Sequence, residues 1–272
     1  MTVGAASRLA DAFGRARSAG RPALITYVIP GFPTPEETPA VFDAMVAGGA
    51  DIVEVGIPFS DPLADGATIQ RAAFQALGNG TNVSRCLEFA AAARGRHPGV
   101  PIIFMTYLNP VLAFGLERFA TDAALAGADA VIFVDLPPEE AAGTHAALDR
   151  NGLDLVCLVA PTSSQERIEK IAAVASGFIY CVSVAGITGA RGDLPPDLAG
   201  FIGRVRRCTN LPLAVGFGMS RRDHVEALTG IADGVVVASA IVDLVAATAP
   251  EERAKTVREF VEVLSGRRRP LS

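Results

Sequence analysis

The chain has 272 residues, half of them hydrophobic, and a formal net charge of −5. That length can bury about three-quarters of its unfolded surface, so a sizeable core is available to one large domain or two small ones. The acidic balance, with Arg scattered among Asp and Glu, leaves no basic face for nucleic acid. No apolar run approaches the roughly 20 residues that cross a bilayer.

From the N-terminus, Arg8, Asp11, Arg15 and Arg17 occupy the place where a secretory leader would carry an apolar stretch, so the opening segment reads as a soluble helix over Ala6 to Ala19. Short β-branched runs then recur at intervals of roughly 20 to 30 residues. They are Leu24 to Ile29, Ile52 to Val55, Ile102 to Met105, Ala130 to Val134, Leu153 to Val159, Phe178 to Val182, Leu211 to Val215 and Val235 to Val237. Most are continuously apolar, the pattern of strands buried on both faces. Between them lie helical spacings such as Ile168, Ile171, Ala172 and Ala175, and later Val257, Phe260, Val261 and Leu264. Helix starts are read at Thr34, Ser163 and Ser220, each a hydroxyl three residues before an acid.

This alternation, without a linker or composition break, predicts an α/β fold: a (β/α)8 TIM barrel with additional N-terminal and loop helices. The barrel is expected to form one domain over residues 1–272, with a short flexible tail from about residue 266 in which Arg267, Arg268 and Arg269 are solvated. Cys86, Cys157, Cys181 and Cys208 form no C-x-x-C pair and read as reduced thiols of a cytosolic protein.

In such a barrel the chemistry sits at the C-terminal ends of the strands. Glu54 lies inside the second apolar run and Asp65 in the loop after it. A carboxylate among Ile52, Val53 and Val55 is costly to bury, so Glu54 either faces solvent, pairs with a buried Arg, or has its pKa raised for proton transfer. Glycines and a serine gather in the last loops, around Gly186 to Gly192, Gly216 to Ser220 and Ala238 to Ala240, as in a phosphate cradle.

Only two lysines are present, Lys170 and Lys255, both in predicted outer helices, which disfavours a Schiff base. His97, His145 and His224 lie far apart and outside metal-ligand spacing, which disfavours metal catalysis and a Ser-His-Asp triad. Carboxylate acid–base chemistry on a phosphorylated substrate remains, with Glu54 and Asp65 leading and Asp135 as a rival or a structural hydrogen-bonding group.

The run Glu54-Val-Gly-Ile-Pro-Phe-Ser-Asp-Pro-Leu-Ala-Asp65-Gly, together with Tyr107-Leu-Asn-Pro110, Ala160-Pro161-Thr162, Tyr180, Gly186-Ile-Thr-Gly189 and Gly216-Phe-Gly218, resembles the tryptophan synthase α subunit family from about Pro22 to Leu264. The resemblance implies retro-aldol cleavage of indole-3-glycerol phosphate to indole and glyceraldehyde 3-phosphate, in the cytoplasm. It makes Glu54 the general acid/base and Asp65 the acceptor of the indole N–H, with Tyr180 beside the substrate. Tyr27, Met105, Tyr107, Ile132 and Leu158 match ring-pocket positions. Gly189, Phe217, Gly218, Ala238 and Ser239 match the phosphate site, and Thr188 a closing loop.

The family also implies a partner, a β subunit that carries pyridoxal phosphate and assembles as α2β2, while this chain itself needs no cofactor or metal. Pro58, Asp61, Pro62, Asn109 and Pro110 match the surfaces that face it. Three positions depart from the pattern: Ala238 replaces a glycine and would crowd the anion if its φ were positive, Val184 stands where Thr or Arg is common, and Ile29-Pro30-Gly31-Phe32 replaces a Thr-Ala-Gly run. A stand-alone lyase that releases free indole is the alternative, and a non-catalytic binding module a third reading.

Overall fold

A computed structural model describes residues 7–182, 197–216 and 218–268. The first half of the chain gives α1 (Arg8–Ser18), β1 (Ala23–Val28), α2 (Thr38–Gly48), β2 (Ile52–Gly56), α3 (Ala67–Gly78), α4 (Val83–Arg96), β3 (Ile102–Thr106), α5 (Leu108–Phe114), α6 (Leu116–Leu125) and β4 (Ala130–Phe133). The second half gives α7 (Ala141–Asp149), β5 (Asp154–Val159), α8 (Gln165–Val174), β6 (Ile179–Val182), α9 (Leu198–Arg206), β7 (Leu213–Gly216), α10 (Arg222–Ala227), β8 (Gly234–Val237), α11 (Ser239–Ala247) and α12 (Pro250–Ser265). The strands pair in parallel, in chain order, and β8 closes on β1. The expected TIM barrel is therefore the observed fold, with α1, α3 and α5 among its additional helices.

The continuous apolar runs have a simple cause. Side chains alternate across a strand, and here both faces are covered. Ile25, Ile52, Ile103, Ile132, Val156 and Phe178 fill the barrel interior, while Leu24, Val53, Ile102, Val131, Leu155 and Ile179 pack outward in the second core cluster, beneath the helices. Helix α1 closes the N-terminal end. Its Leu9, Ala12, Phe13 and Ala16 join the interior cluster, and Phe13 meets Phe178 at 5.6 Å between ring centroids.

That lower face is tied by a repeated hydrogen bond. Asp51, Asp129 and Asp233 stand just before β2, β4 and β8, and each accepts the backbone N–H at the start of the preceding neighbour strand: Leu24, Ile102 and Leu213, all at 2.8 Å. Ser176 does the same for Leu155 at 2.9 Å. Each Asp is neutralised by arginine. Arg21 bonds Asp51 at 2.5 and 2.9 Å, Arg8 and Arg94 bond Asp129 at 2.6 and 2.7 Å, and Arg17 and Arg206 bond Asp233.

The helix starts differ from the sequence expectation by one residue or one turn. Ser164, not Ser163, caps α8 by accepting the Arg167 N–H at 3.2 Å, because Ser163 turns back to the Ala160 N–H. Thr34 accepts the Glu37 N–H one turn ahead of α2, which begins only at Thr38. Arg221, not Ser220, occupies the cap position of α10.

At the other end of the chain, α12 packs on α2, where Gly48 permits close approach: a Cβ there would lie 2.7 Å from Cβ of Val261. Beyond Gly266, Arg267 donates to the carbonyl of Ala47 at 3.1 Å and Arg268 pairs with Glu259 at 2.9 Å, both at the surface, with Arg267 exposed. Arg269 lies outside the described residues. Among the described residues no helix is long and apolar enough to cross a membrane.

Candidate active site

The C-terminal mouth of the barrel is built on residues that continue the inward-facing alternation above the apolar interior. Glu54 on β2 pairs in register with Tyr27 of β1 and Ile103 of β3. It is fully buried, and neither carboxyl oxygen has a hydrogen-bond partner among the described residues. Glu54 is therefore not solvent-facing, and no described arginine pairs with it. Loss of hydration disfavours its charged form, which pushes the carboxyl up from 4.5 to about 8.

Asp65 reaches the same mouth from the β2–α3 loop. A turn in which its N–H donates to the carbonyl of Pro62 at 3.1 Å shapes that loop, and Gln70 of α3 pins it by donating to the carbonyls of Asp65 and Pro62 at 2.9 and 3.1 Å. Burial raises the Asp65 carboxyl to about 6, and a hydrogen bond with the Tyr107 phenol opposes that rise. The Tyr107 oxygen also accepts the Ala64 N–H at 3.0 Å, and its ring lies 5.3 Å from that of Phe59. At neutral pH the two carboxyls thus differ in form, Glu54 mostly protonated and Asp65 mostly ionised.

Tyr27 and Tyr180 complete the mouth. Burial, reinforced by the nearby charges of Glu54 and Asp65, raises both phenols well above their ordinary value, so both stay neutral. Each ring leans over a glycine on the next strand. A Cβ on Gly56 would lie 2.1 Å from the Tyr27 oxygen, and one on Gly216 would lie 2.1 Å from that of Tyr180.

Met105 and Leu158 are half-buried above the interior cluster, whereas Ile132 is fully buried within it and forms the floor. Asp135 is exposed and accepts the Leu108 N–H at 2.8 Å, the structural role the sequence left open. The histidines occupy separate helices or helix ends; His97, for example, bonds Asp43 at 2.8 Å.

Of the phosphate-loop residues, Gly218 has φ +51°, a left-handed conformation that suits glycine. Ala238 has φ −111°, so its backbone does not require glycine and the expected conflict does not arise. Ser239 is exposed at the first position of α11, a helix start that no side chain caps and whose N–H groups face the mouth end of β8. Val184, Thr188, Gly189 and Phe217 lie outside the described residues.

The proposed partner-facing residues divide. Asp61 and Asn109 are exposed and Pro110 is half-buried, but Pro58 and Pro62 are buried within the chain. Those two prolines are packed into the loop that carries Asp65, beside Leu63, which is 91% exposed. Sequence reasoning also missed Gln70 and Gly56. Gln70 sits in the first turn after the Asp65 loop, where a polar residue reads as ordinary helix surface, and Gly56 was visible only as a motif glycine.

The family model described as tryptophan synthase alpha chain matches residues 13–267. The tryptophan synthase alpha chain of Roseiflexus castenholzii is 50% identical over 260 residues, covering 96% of this chain and 100% of that one. Among solved structures, tryptophan synthase of Mycobacterium tuberculosis superposes with a TM-score of 0.87 at 37% identity, covering 96% of this chain and 98% of that one. The tryptophan synthase alpha chain of Legionella pneumophila gives 0.86 at 31% identity, covering 96% and 97%. A match of this extent, over a barrel whose mouth holds Glu54 and Asp65, leaves one assignment: the chain belongs to the tryptophan synthase alpha chain family.

Proposed function

We infer that the chain is a carbon–carbon lyase of tryptophan biosynthesis, cleaving indole-3-glycerol phosphate to indole and glyceraldehyde 3-phosphate. The observation that carries the assignment of roles is the buried Glu54 carboxyl, without a partner among the described residues, where loss of hydration favours the acid form. Glu54 gives its proton to indole C3, which makes the ring a cation. The resulting carboxylate takes the proton of the glycerol hydroxyl next to the ring, the carbon–carbon bond breaks, and its electron pair returns to the ring as the carbonyl forms. Glu54 ends as it began, and neither metal nor Schiff base enters the scheme.

Asp65, ionised, accepts the indole N–H and stabilises the positive charge that develops when C3 is protonated. Tyr180 stands beside the reacting carbons. Tyr27, Met105, Tyr107 and Leu158 enclose the ring above Ile132. The open start of α11 at Ala238 and Ser239, with Gly218, receives the phosphate, joined by Gly189 and Phe217, while Thr188 closes towards Asp65.

The partner is a β subunit, met at the mouth face around Pro58, Asp61, Pro62, Asn109 and Pro110 in an α2β2 complex. Pyridoxal phosphate belongs to that subunit, and the complex works in the cytoplasm. Indole release from indole-3-glycerol phosphate by the purified chain tests the reading. Turnover that rises when a β subunit is added supports the complex, equal turnover with and without it supports a stand-alone lyase, and no turnover in either case overturns the assignment.

A further inference from the structure

Gly56 is a glycine that its own backbone does not require. Its φ is not positive, so any residue could adopt its conformation. The constraint is packing: a Cβ would stand 2.1 Å from the hydroxyl oxygen of Tyr27, 2.6 Å from its Cζ and 3.0 Å from its Cε2. The phenol fills the volume that a side chain at position 56 would claim.

The tethering of the two neighbouring phenols differs. Tyr107 is fastened through its oxygen to the Ala64 N–H at 3.0 Å, whereas Tyr27 makes no hydrogen bond to any described residue. Packing alone therefore sets where the Tyr27 ring lies. It is 5% exposed, shares a crevice with Asp65, Ala73, Met105 and Val134, and is the register partner of Glu54.

We propose that Gly56 and Tyr27 form a specificity-determining pair, in which the phenol lying in the hollow left by Gly56 is the wall that limits the size of the ring bound between Glu54 and Asp65. The inference rests on the lyase reading above. The pair admits a flat bicyclic heteroaromatic ring and rejects one that carries a methyl group on the edge facing Tyr27. A single carbon against a rigid wall changes kcat/KM by roughly 10- to 200-fold.

The test compares indole-3-glycerol phosphate with its four benzo-ring methyl derivatives in wild type, Tyr27→Phe, Tyr27→Leu, Gly56→Ala and the Gly56→Ala/Tyr27→Leu double variant. For at least one derivative, Tyr27→Leu raises kcat/KM relative to the parent about tenfold or more, and Tyr27→Phe raises it several-fold at the same ring position. Gly56→Ala lowers kcat/KM for the parent about tenfold, chiefly through KM, and adding Tyr27→Leu recovers most of the loss. Should Gly56→Ala not fold, the two Tyr27 variants decide. Unchanged ratios for all four derivatives in an active enzyme overturn this inference alone, whereas a wild type that does not cleave the parent overturns the lyase reading and this inference with it.

Discussion

The phenol oxygen of Tyr107 accepts the N–H of Ala64, the residue before Asp65, at 3.0 Å, which couples the end of β3 to the loop that follows β2. The phenol beside it holds down the pKa of Asp65 while burial pushes it up to about 6. Removing the donor in Tyr107→Phe therefore raises the Asp65 pKa. Since the proposed mechanism needs Asp65 ionised, the acid limb of the kcat/KM profile moves to higher pH, and the variant loses several-fold more activity at pH 6 than at pH 7.5. A pH–rate profile of the two enzymes checks this.

Glu54→Gln removes the proton donor that the proposed mechanism assigns to indole C3 and should cut turnover about 10³-fold or more. It should also change how stability depends on pH. The folded-state pKa of Glu54, about 8, lies above its ordinary 4.5, so folding favours the protonated form. The stabilisation is complete below 4.5 and is lost as pH rises through 8, a difference on the order of 5 kcal/mol across that window. Urea denaturation of wild type should show stability falling from pH 5 to pH 8, with a shallower slope in Glu54→Gln.

On the opposite face, Asp129 and Arg8 should separate a buried from an exposed partner. Asp129→Ala leaves the Ile102 N–H unbonded and strips Arg94, a half-buried guanidinium, of its carboxylate, at a cost of about 3 kcal/mol. Arg8→Ala removes a side chain that is 41% exposed and leaves Asp129 its other partners, so the loss should stay below about 1 kcal/mol. Chemical denaturation midpoints distinguish the two.

Ala238→Gly should leave the KM for the phosphorylated substrate within about twofold of wild type. The backbone at 238 already sits at φ −111°, so glycine adds no conformation that the anion site needs. A large fall in KM would mean that the methyl group itself crowds the phosphate.

The strands were legible in the sequence because both of their faces are buried. Ile52 to Val55 and Ala130 to Val134 read as apolar runs for that reason, and the observed Ile52–Gly56 and Ala130–Phe133 differ from them by one residue. Caps were less legible, since Ser163 and Ser164 are chemically alike and only the path of the chain after β5 decides which hydroxyl reaches an N–H of α8. The packing of the Asp65 loop was hidden for a related reason: Pro58 and Pro62 are buried because the loop folds inward over Tyr107 and Gln70, which no local pattern shows.

The sequence by itself determined the repeating strand–helix order, the barrel it closes into, and the presence of Glu54 and Asp65 at one end of it, because hydrophobic periodicity and motif spacing are local properties. Only the tertiary structure decided that Glu54 has no partner among the described residues, that Tyr107 and Gln70 hold the loop carrying Asp65, and that Gly56 makes room for Tyr27. These depend on side chains from different strands meeting in a closed space, and the desolvation that keeps one carboxyl protonated while its neighbour stays ionised exists only after the barrel has closed.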